Sequence, residues 1–200
     1  MYKEIILDYG SIDNFISKDA LDIHLDIYRD NLNILNNLLK KANYDYSYSM
    51  IDLINNINIF DLNIRGEILY YLSSILNHNL FFYNISNNKY IEPIGLIEKD
   101  IIKYFKTFDN FKKEFKNKSL NLKGSGYTFL VSDDKGILKI INMSNEDSPY
   151  YYGYIPIIAL DLWEHSYFLD YKNDKNTYID KFFKVIDFKK VNNYYEKLVK

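Results

Sequence analysis

Apolar side chains recur at helical spacing in the first part of the chain. Over residues 21–39 they follow one another at intervals of three and four, which places them on one face of a helix that Ser17 or Asp19 can cap. The stripe consists of Leu21, Leu25, Tyr28, Leu32, Leu35 and Leu39. After a Tyr- and Ser-rich break at 43–49, a second helix is predicted over 66–83. The simplest packing of two such helices is an antiparallel hairpin.

The spacing changes after a turn predicted at 87–89 and a boundary at Pro93-Ile94-Gly95. Two further helices are followed by segments rich in β-branched and aromatic residues, and the third of these is almost entirely apolar, so we predict it to be the central strand. The predicted elements are helices at 96–105 and 108–117, strands at 127–131, 137–141 and 154–160, a turn at 133–136, a helix that passes through 167–168, and helices at 177–185 and 187–198.

Composition narrows the class of protein. The chain of 200 residues is 48% hydrophobic and 26% charged, which is typical of a globular protein. Its net charge of -2 and the helical spacing of apolar residues in the Lys-rich stretch 103–116 argue against a nucleic-acid partner. No apolar run approaches the roughly 18 residues of a membrane span. Without an export pattern at the N-terminus we expect a cytoplasmic protein, or an organellar matrix if a transit peptide is missing from this sequence.

The residue types present in the chain favour a metal-binding site. The chain has no cysteine, which excludes disulfides and thiolate sites. It has three histidines, His24, His78 and His165, and Asp161 precedes the last of them by four residues. Three imidazoles and a carboxylate suit iron or manganese and also zinc. The residues alone leave open that each histidine is an ordinary half-buried polar side chain.

Several motifs resemble one family in order and spacing over almost the whole chain. The segment Asp161-Leu162-Trp163-Glu164-His165-Ser166-Tyr167 resembles the metal-binding signature of the iron/manganese superoxide dismutases. Further similar segments are Asn77-His78-Asn79-Leu80-Phe81-Phe82, Gly124-Ser125-Gly126-Tyr127, and the turn Asn145-Glu146-Asp147-Ser148-Pro149. His24 is assigned mainly by its position on the first helix.

The resemblance implies an α+β fold. Residues 1–88 would form an antiparallel helical hairpin, and residues 89–200 a lobe with a three-stranded antiparallel sheet surrounded by helices. One manganese or iron ion per subunit would be held between them, and the ligand set implied is His24, His78, Asp161 and His165. The resemblance also implies a homodimer, or a tetramer, in which Glu164 reaches the partner's metal-bound histidine. Other residues expected around the ligands or at the interface are Trp163, Tyr127 and Phe168.

This sequence departs from the family pattern near the expected metal. Leu32 stands where the family usually has a tyrosine at the substrate entrance. Tyr28 replaces a histidine whose usual partner across the interface is also changed, here to Phe168. Glu146 replaces a glutamine that donates a hydrogen bond to metal-bound solvent, and an ionised carboxylate cannot donate. We therefore predict a neutral or proton-sharing Glu146, and we expect Glu146 and Tyr28 to take part in catalysis.

The sequence is compatible with more than one native metal and more than one function. The glutamine that iron forms carry on the second helix corresponds to Ser74, so neither metal type is matched fully. The expected function is disproportionation of superoxide to dioxygen and hydrogen peroxide. One alternative is a metal-binding structural relative with little or no activity. A more distant alternative is a zinc hydrolase, which would need a general base near the metal that the resemblance does not offer.

Overall fold

The computed structural model describes residues 1–5, 12–87 and 90–198. Helices α1 to α5 precede the strands β1 to β3, and helices α6 to α8 follow them. The helices are α1 (Lys18–Lys41), α2 (Met50–Asn55), α3 (Leu62–Asn84), α4 (Gly95–Phe105), α5 (Phe108–Asn121), α6 (Glu164–Tyr171), α7 (Lys175–Phe182) and α8 (Phe188–Leu198), and the strands are β1 (Gly126–Ser132), β2 (Leu138–Ser144) and β3 (Ile155–Asp161). This order confirms the α+β class.

Helix α1 begins where the sequence predicts. The backbone N–H of Ala20 donates to the Ser17 hydroxyl (3.2 Å), which satisfies one of the unpaired donors of the first turn. The helix packs against α3, and Asn31 donates to the Ser74 hydroxyl (2.9 Å) while His24 lies beside His78. Contacts therefore move forward along α1 as they move backward along α3, and the antiparallel hairpin is confirmed.

The connection between these two helices contains structure that the sequence analysis missed. The six-residue helix α2 is capped by Ser49, whose hydroxyl accepts from the Asp52 N–H (3.1 Å), and a 3-10 turn follows at Ile57–Ile59. Helix α3 then begins at Leu62 rather than at residue 66. A helix of fewer than two turns gives no readable apolar period, which is why α2 was not predicted.

The sheet order corrects one prediction. The strands are arranged β2-β1-β3, all antiparallel, so β1 is the central strand and the expectation that 154–160 would be central is wrong. Residues 156–161 of β3 are nevertheless all buried, because α3 and α8 pack against this strand. The apolar sequence of β3 therefore reflects burial by helices. Sequence alone does not distinguish this from the burial of a central strand between two others.

A side chain from α3 occupies the outer edge of β3. The Asn84 amide donates to the carbonyl of Ile157 (3.1 Å), and its oxygen accepts from the N–H of Ala159 (2.9 Å). Asn84 is fully buried, so these two bonds replace those that a neighbouring strand would supply. They also fix the C-terminal end of α3 against the sheet that carries Asp161.

The remaining differences concern where elements end. Helix α6 runs over Glu164–Tyr171 and contains residues 167–168, as predicted, whereas α7 ends at Phe182 instead of 185. Helix ends depend on caps and packing more than on apolar period, so such shifts are ordinary. The division at 88/89 stays a prediction, and both of those residues, with part of the turn expected at 87–89, lie outside the described ones.

Candidate metal centre

Four polar side chains from four different elements meet in the interior. His24 lies in the second turn of α1 and His78 near the end of α3, while Asp161 ends β3 and His165 is the second residue of α6. One possible ligand atom from each lies within 4.8 Å of all the others. The hairpin and the sheet therefore bring together the four residues that the sequence analysis selected; their role as ligands stays a prediction.

The Asp161 carboxylate is at the centre of this cluster. Its Oδ2 atom lies 3.1 Å from His24 Nε2, 3.4 Å from His165 Nε2 and 3.7 Å from His78 Nε2. His24, His78 and Asp161 are fully buried, and the His165 side chain is 14% exposed. The three histidine nitrogens and the Asp161 oxygen thus converge in the interior, away from bulk water.

The cluster fits a cation on its own chemistry. The four converging atoms, Nε2 of each histidine and Oδ2 of Asp161, have no hydrogen-bond partner within the described parts of the chain. Leaving one buried polar atom unpaired costs on the order of 1–3 kcal/mol, and here four such atoms face one another. A bound metal ion would satisfy all four at once, and the donor set suits manganese, iron or zinc.

The protonation states favour metal binding as well. Burial lowers the pKa of His24, and burial together with the neighbouring His24 lowers the pKa of His78 to about 3. Burial acts to raise the pKa of Asp161, but His165 and His24 more than offset this and hold it well below its usual value. Neutral imidazoles and an ionised carboxylate are the forms in which these side chains bind a metal.

Neighbouring groups fix the orientation of the cluster. His78 Nδ1 donates to the Ser74 carbonyl one turn earlier on α3 (2.8 Å), which leaves Nε2 free to face the centre. The Asp161 Oδ1 atom accepts from the Trp163 N–H (2.8 Å). His24 is held by packing, with its ring centroid 4.9 Å from that of Phe82. Contacts within the chain therefore orient three of the four candidate ligands.

Glu146 lies where the turn before β3 approaches the cluster. The side chain is buried, and its Oε2 atom has no hydrogen-bond partner among the described residues. Its pKa is raised to about 8 because it is buried and faces the charge of Asp161, and the hydroxyls of Ser74 and Tyr127 offset this only in part. A protonated carboxyl can donate a hydrogen bond. The expectation that Glu146 is neutral is consistent with this environment, and its part in catalysis stays a prediction.

Tyr28 links the first residues of the chain to the hairpin. Its hydroxyl donates to Asn79 Oδ1 (2.8 Å) and accepts from the Ile5 N–H (3.1 Å). Its ring is buried, with its centroid 6.0 Å from that of His78. The residue that replaces the family's histidine therefore has hydrogen-bond partners inside its own chain. Whether it also takes part in catalysis stays a prediction.

Replacing Tyr28 with Phe is expected to lower the free energy of unfolding by about 1–2 kcal/mol. The change leaves the half-buried Asn79 oxygen and the Ile5 N–H without this partner while keeping the ring. Urea unfolding followed by circular dichroism measures the effect. The matched control is Tyr48→Phe, because Tyr48 is 39% exposed and should change stability by less than about 0.5 kcal/mol. Equal stability of the two variants would contradict the assigned bonds.

The other predicted neighbours surround His78 and His165. The buried Tyr127 hydroxyl lies 3.4 Å from His78 Nδ1, and the Trp163 ring stacks on that of His165 with centroids 5.9 Å apart. Glu164 accepts from the Ser125 hydroxyl (2.8 Å), which lowers its pKa. Phe168 is 52% exposed on α6. In this single chain Glu164 has a partner of its own, and its contact across a dimer stays a prediction.

Two departures from the family pattern also have defined places. Leu32 is buried on α1, two turns after His24, so the position of the usual entrance tyrosine carries an apolar side chain. Ser74 is fully buried, and its hydroxyl accepts from Asn31 (2.9 Å). The Ser74 position therefore supplies a small hydroxyl and a backbone carbonyl near the cluster instead of an amide.

Two residues that position the cluster and the nearby turn were not predicted to do so. The Ser74 carbonyl that orients His78 could have been expected from its position four residues earlier on the same helix. Asn77 donates to the backbone carbonyls of Glu146 and Asp147 (both 3.2 Å), which holds the turn against α3. The Asn-His pair was noted in the sequence, but nothing there indicated which backbone Asn77 would bind.

Comparison with known proteins agrees with the fold and the cluster. Residues 93–194 match the family described as iron/manganese superoxide dismutases, C-terminal domain. The chain is 32% identical over 189 residues to superoxide dismutase [Mn/Fe] 2 of Staphylococcus aureus, covering 94% of this chain and 93% of that protein. It is 30% identical over 193 residues to superoxide dismutase [Mn] 3 of Leptolyngbya boryana, covering 94% and 80%. Within the described residues no helix is long and apolar enough to cross a bilayer. The chain belongs to the iron/manganese superoxide dismutase family.

Proposed function

We propose that this protein disproportionates superoxide to dioxygen and hydrogen peroxide, with one manganese or iron ion held by His24, His78, Asp161 and His165. The observation that carries the proposal is the convergence of four buried, otherwise unpaired donor atoms within 4.8 Å, in a chain of this family. A structural relative without activity would have no need to keep four such atoms buried and unpaired.

The ion, when bound, would supply a redox couple that takes an electron from one superoxide and gives one to a second. The chain's own residues set the conditions for this exchange. Asp161 places a negative charge among three imidazoles, which favours the more highly charged oxidation state. Ser74 fixes the ring of His78, and Glu146 holds a proton beside the cluster when its carboxyl is neutral.

Elemental analysis combined with a superoxide-removal assay on the purified protein tests this function. We expect about one manganese or iron per chain, and turnover that falls when a chelator removes the ion and returns when the ion is restored. Bound redox metal without turnover would instead support the structural relative. Zinc in the site, with no effect on superoxide, would overturn the proposal.

We also propose that the protein forms a homodimer. Its support is an apolar pair on α6, next to the cluster: Phe168 is 52% and Leu169 is 44% exposed in the single chain. Large apolar side chains that stay exposed together often mark an interface. Glu164 lies on the same helix, one residue before His165, which supports its proposed contact with a partner that covers α6.

Replacing Phe168 with Glu is expected to shift the protein from dimer toward monomer. A charge buried in an apolar contact destabilises it by several kcal/mol, enough to raise a dimer dissociation constant about a hundredfold or more. Analytical ultracentrifugation over a range of protein concentrations measures the shift. Ile102→Glu is the control, because Ile102 is also exposed (48%) but lies on α4. Unchanged dimerisation of the Phe168 variant would contradict an interface at α6.

The division at 88/89 and the cytoplasmic location remain proposals. Expression of residues 89–200 alone, followed by circular dichroism, tests whether the C-terminal lobe folds independently. Fractionation of the source cells tests the location.

A further inference from the structure

A pocket elsewhere in the chain is lined by Phe82, whose ring also packs against His24 of the metal cluster. It has a volume of about 540 Å³, which falls within the range of small-molecule binding sites. Its walls come from α2, α3, the 3-10 turn Pro149–Tyr152 and α8. None of the four candidate metal ligands lines it.

The floor of the pocket is apolar. Leu76, Leu80 and Phe82 line it from α3, one helical turn or less apart, and Ile51 lines it from α2. The three α3 side chains are almost fully buried, while Ile51 is 39% exposed and can contact an occupant at the opening. Such a floor favours an alkyl or aryl group, because each buried methylene contributes about 0.8 kcal/mol.

The rim of the pocket is polar and basic. Tyr150 and Tyr194 line it, and their hydroxyl oxygens lie 3.1 Å apart. Lys190 and Lys197 line it from α8, and Lys197 is exposed. A cation above an apolar floor complements a ligand with an anionic head and an apolar body.

We propose that this pocket is a second binding site that takes an amphipathic monocarboxylate, with its apolar body on the α3 floor and its carboxylate at Lys197. The volume, the apolar floor and the basic rim each match one part of such a ligand. The site is separate from the dismutase reaction, so it can be present or absent whatever the outcome of the activity assays.

Two side chains that line the pocket also contact residues of the metal cluster or its surroundings. The Phe82 ring that lines the pocket also packs on His24, with centroids 4.9 Å apart. Asn79 lines the pocket and accepts the hydroxyl of Tyr28 (2.8 Å). A ligand in the pocket would therefore touch residues that contact the His24 ring and the Tyr28 hydroxyl.

Isothermal titration of the metal-loaded full chain with sodium decanoate tests the proposal. We expect saturable binding of one decanoate per chain, much weaker binding of decanol, and none of acetate. Lys197→Glu should weaken decanoate binding by about fivefold or more, as expected for loss of a partly exposed ion pair. Lys184→Glu changes the net charge equally at an exposed lysine that does not line this pocket, and should bind decanoate like the unmodified protein.

A pair of isoleucine variants tests the apolar part independently. Ile51→Trp should fill the opening and reduce decanoate binding, whereas Ile59→Trp, at an exposed residue outside the pocket, should not. Circular dichroism melting curves confirm that all four variants are folded. No saturable decanoate binding would overturn the proposal. Equal binding by Lys197→Glu and Lys184→Glu, or by the two tryptophan variants, would also overturn it, because the ligand would then lie elsewhere.

Discussion

Replacing Asp161 with Asn is expected to abolish metal binding and superoxide removal together. The carboxylate is the one anionic donor of the cluster, and its Oδ2 atom lies within 3.7 Å of Nε2 of all three histidines. Altering a group that only orients a ligand costs 10- to 100-fold in metal affinity, so losing a ligand should cost at least about a hundredfold. Metal content by elemental analysis and turnover of superoxide should fall in parallel.

The Asp161 variant has a matched control in the turn between β1 and β2. Asp134→Asn removes the same charge from an exposed residue and should keep full metal content and activity. A second readout is thermal stability, because a tightly bound ion stabilises the fold by several kcal/mol through mass action. Asp161→Asn should melt at the temperature of the metal-free protein, with or without added metal. Full metal content in this variant would refute the assigned ligand set.

Replacing Glu146 with Gln is expected to stabilise the metal-free protein increasingly as the pH rises from 5 to 8. Below pH 4.5 the carboxyl is protonated in both the folded and the unfolded chain. Between pH 4.5 and about 8 the unfolded chain releases this proton while the folded chain retains it, so the stability of the unmodified protein falls with rising pH. Glutamine does not titrate, so the variant escapes this loss.

The size of the Glu146 effect follows from its pKa. A rise from 4.5 to about 8 corresponds to at most about 5 kcal/mol, and relaxation of the site makes about 2–4 kcal/mol the expected difference at pH 8. Urea unfolding of the metal-free protein measures it, because a bound cation would itself lower the pKa of Glu146. The control is Glu114→Gln at an exposed residue, which should give a difference independent of pH. A constant difference for Glu146→Gln would show that the carboxyl is ionised in the folded protein.

The same substitution tests the role of Glu146 in the reaction. Glutamine always offers an N–H donor, whereas glutamate does so only when protonated. In the metal-loaded protein we therefore expect a changed metal potential and a changed pH dependence of turnover. No change in either would refute a role for Glu146 beside the metal.

The candidate site could be predicted only because a family resemblance joined residues far apart in sequence. Helical spacing placed His24 on α1, but nothing in that spacing indicated that it would meet His78, His165 and Asp161. Their meeting depends on the hairpin and on the contact of α3 with β3, which are tertiary features. The residues alone therefore supported a metal site no better than three ordinary buried histidines.

The errors in the predicted fold have the same origin. The strand at 154–160 was predicted to be central because it is apolar throughout, yet helices rather than strands cover its second side. Asn84 shows why sequence could not reveal this. In the sequence, a polar residue at the end of an apolar helix indicates only where the helix ends. In the structure, Asn84 is buried and hydrogen-bonded to the backbone of β3.

The bonds from Asn84 also bear on how this protein avoids aggregation. An open strand edge is a template on which another chain can add a strand, and the unpaired Ile157 and Ala159 backbone groups of β3 would form such an edge. With an amide side chain in place, those groups cannot recruit a foreign strand, so uncontrolled sheet extension is blocked on this side. Self-association on this side of the sheet would then have to use the helical surfaces that cover β3.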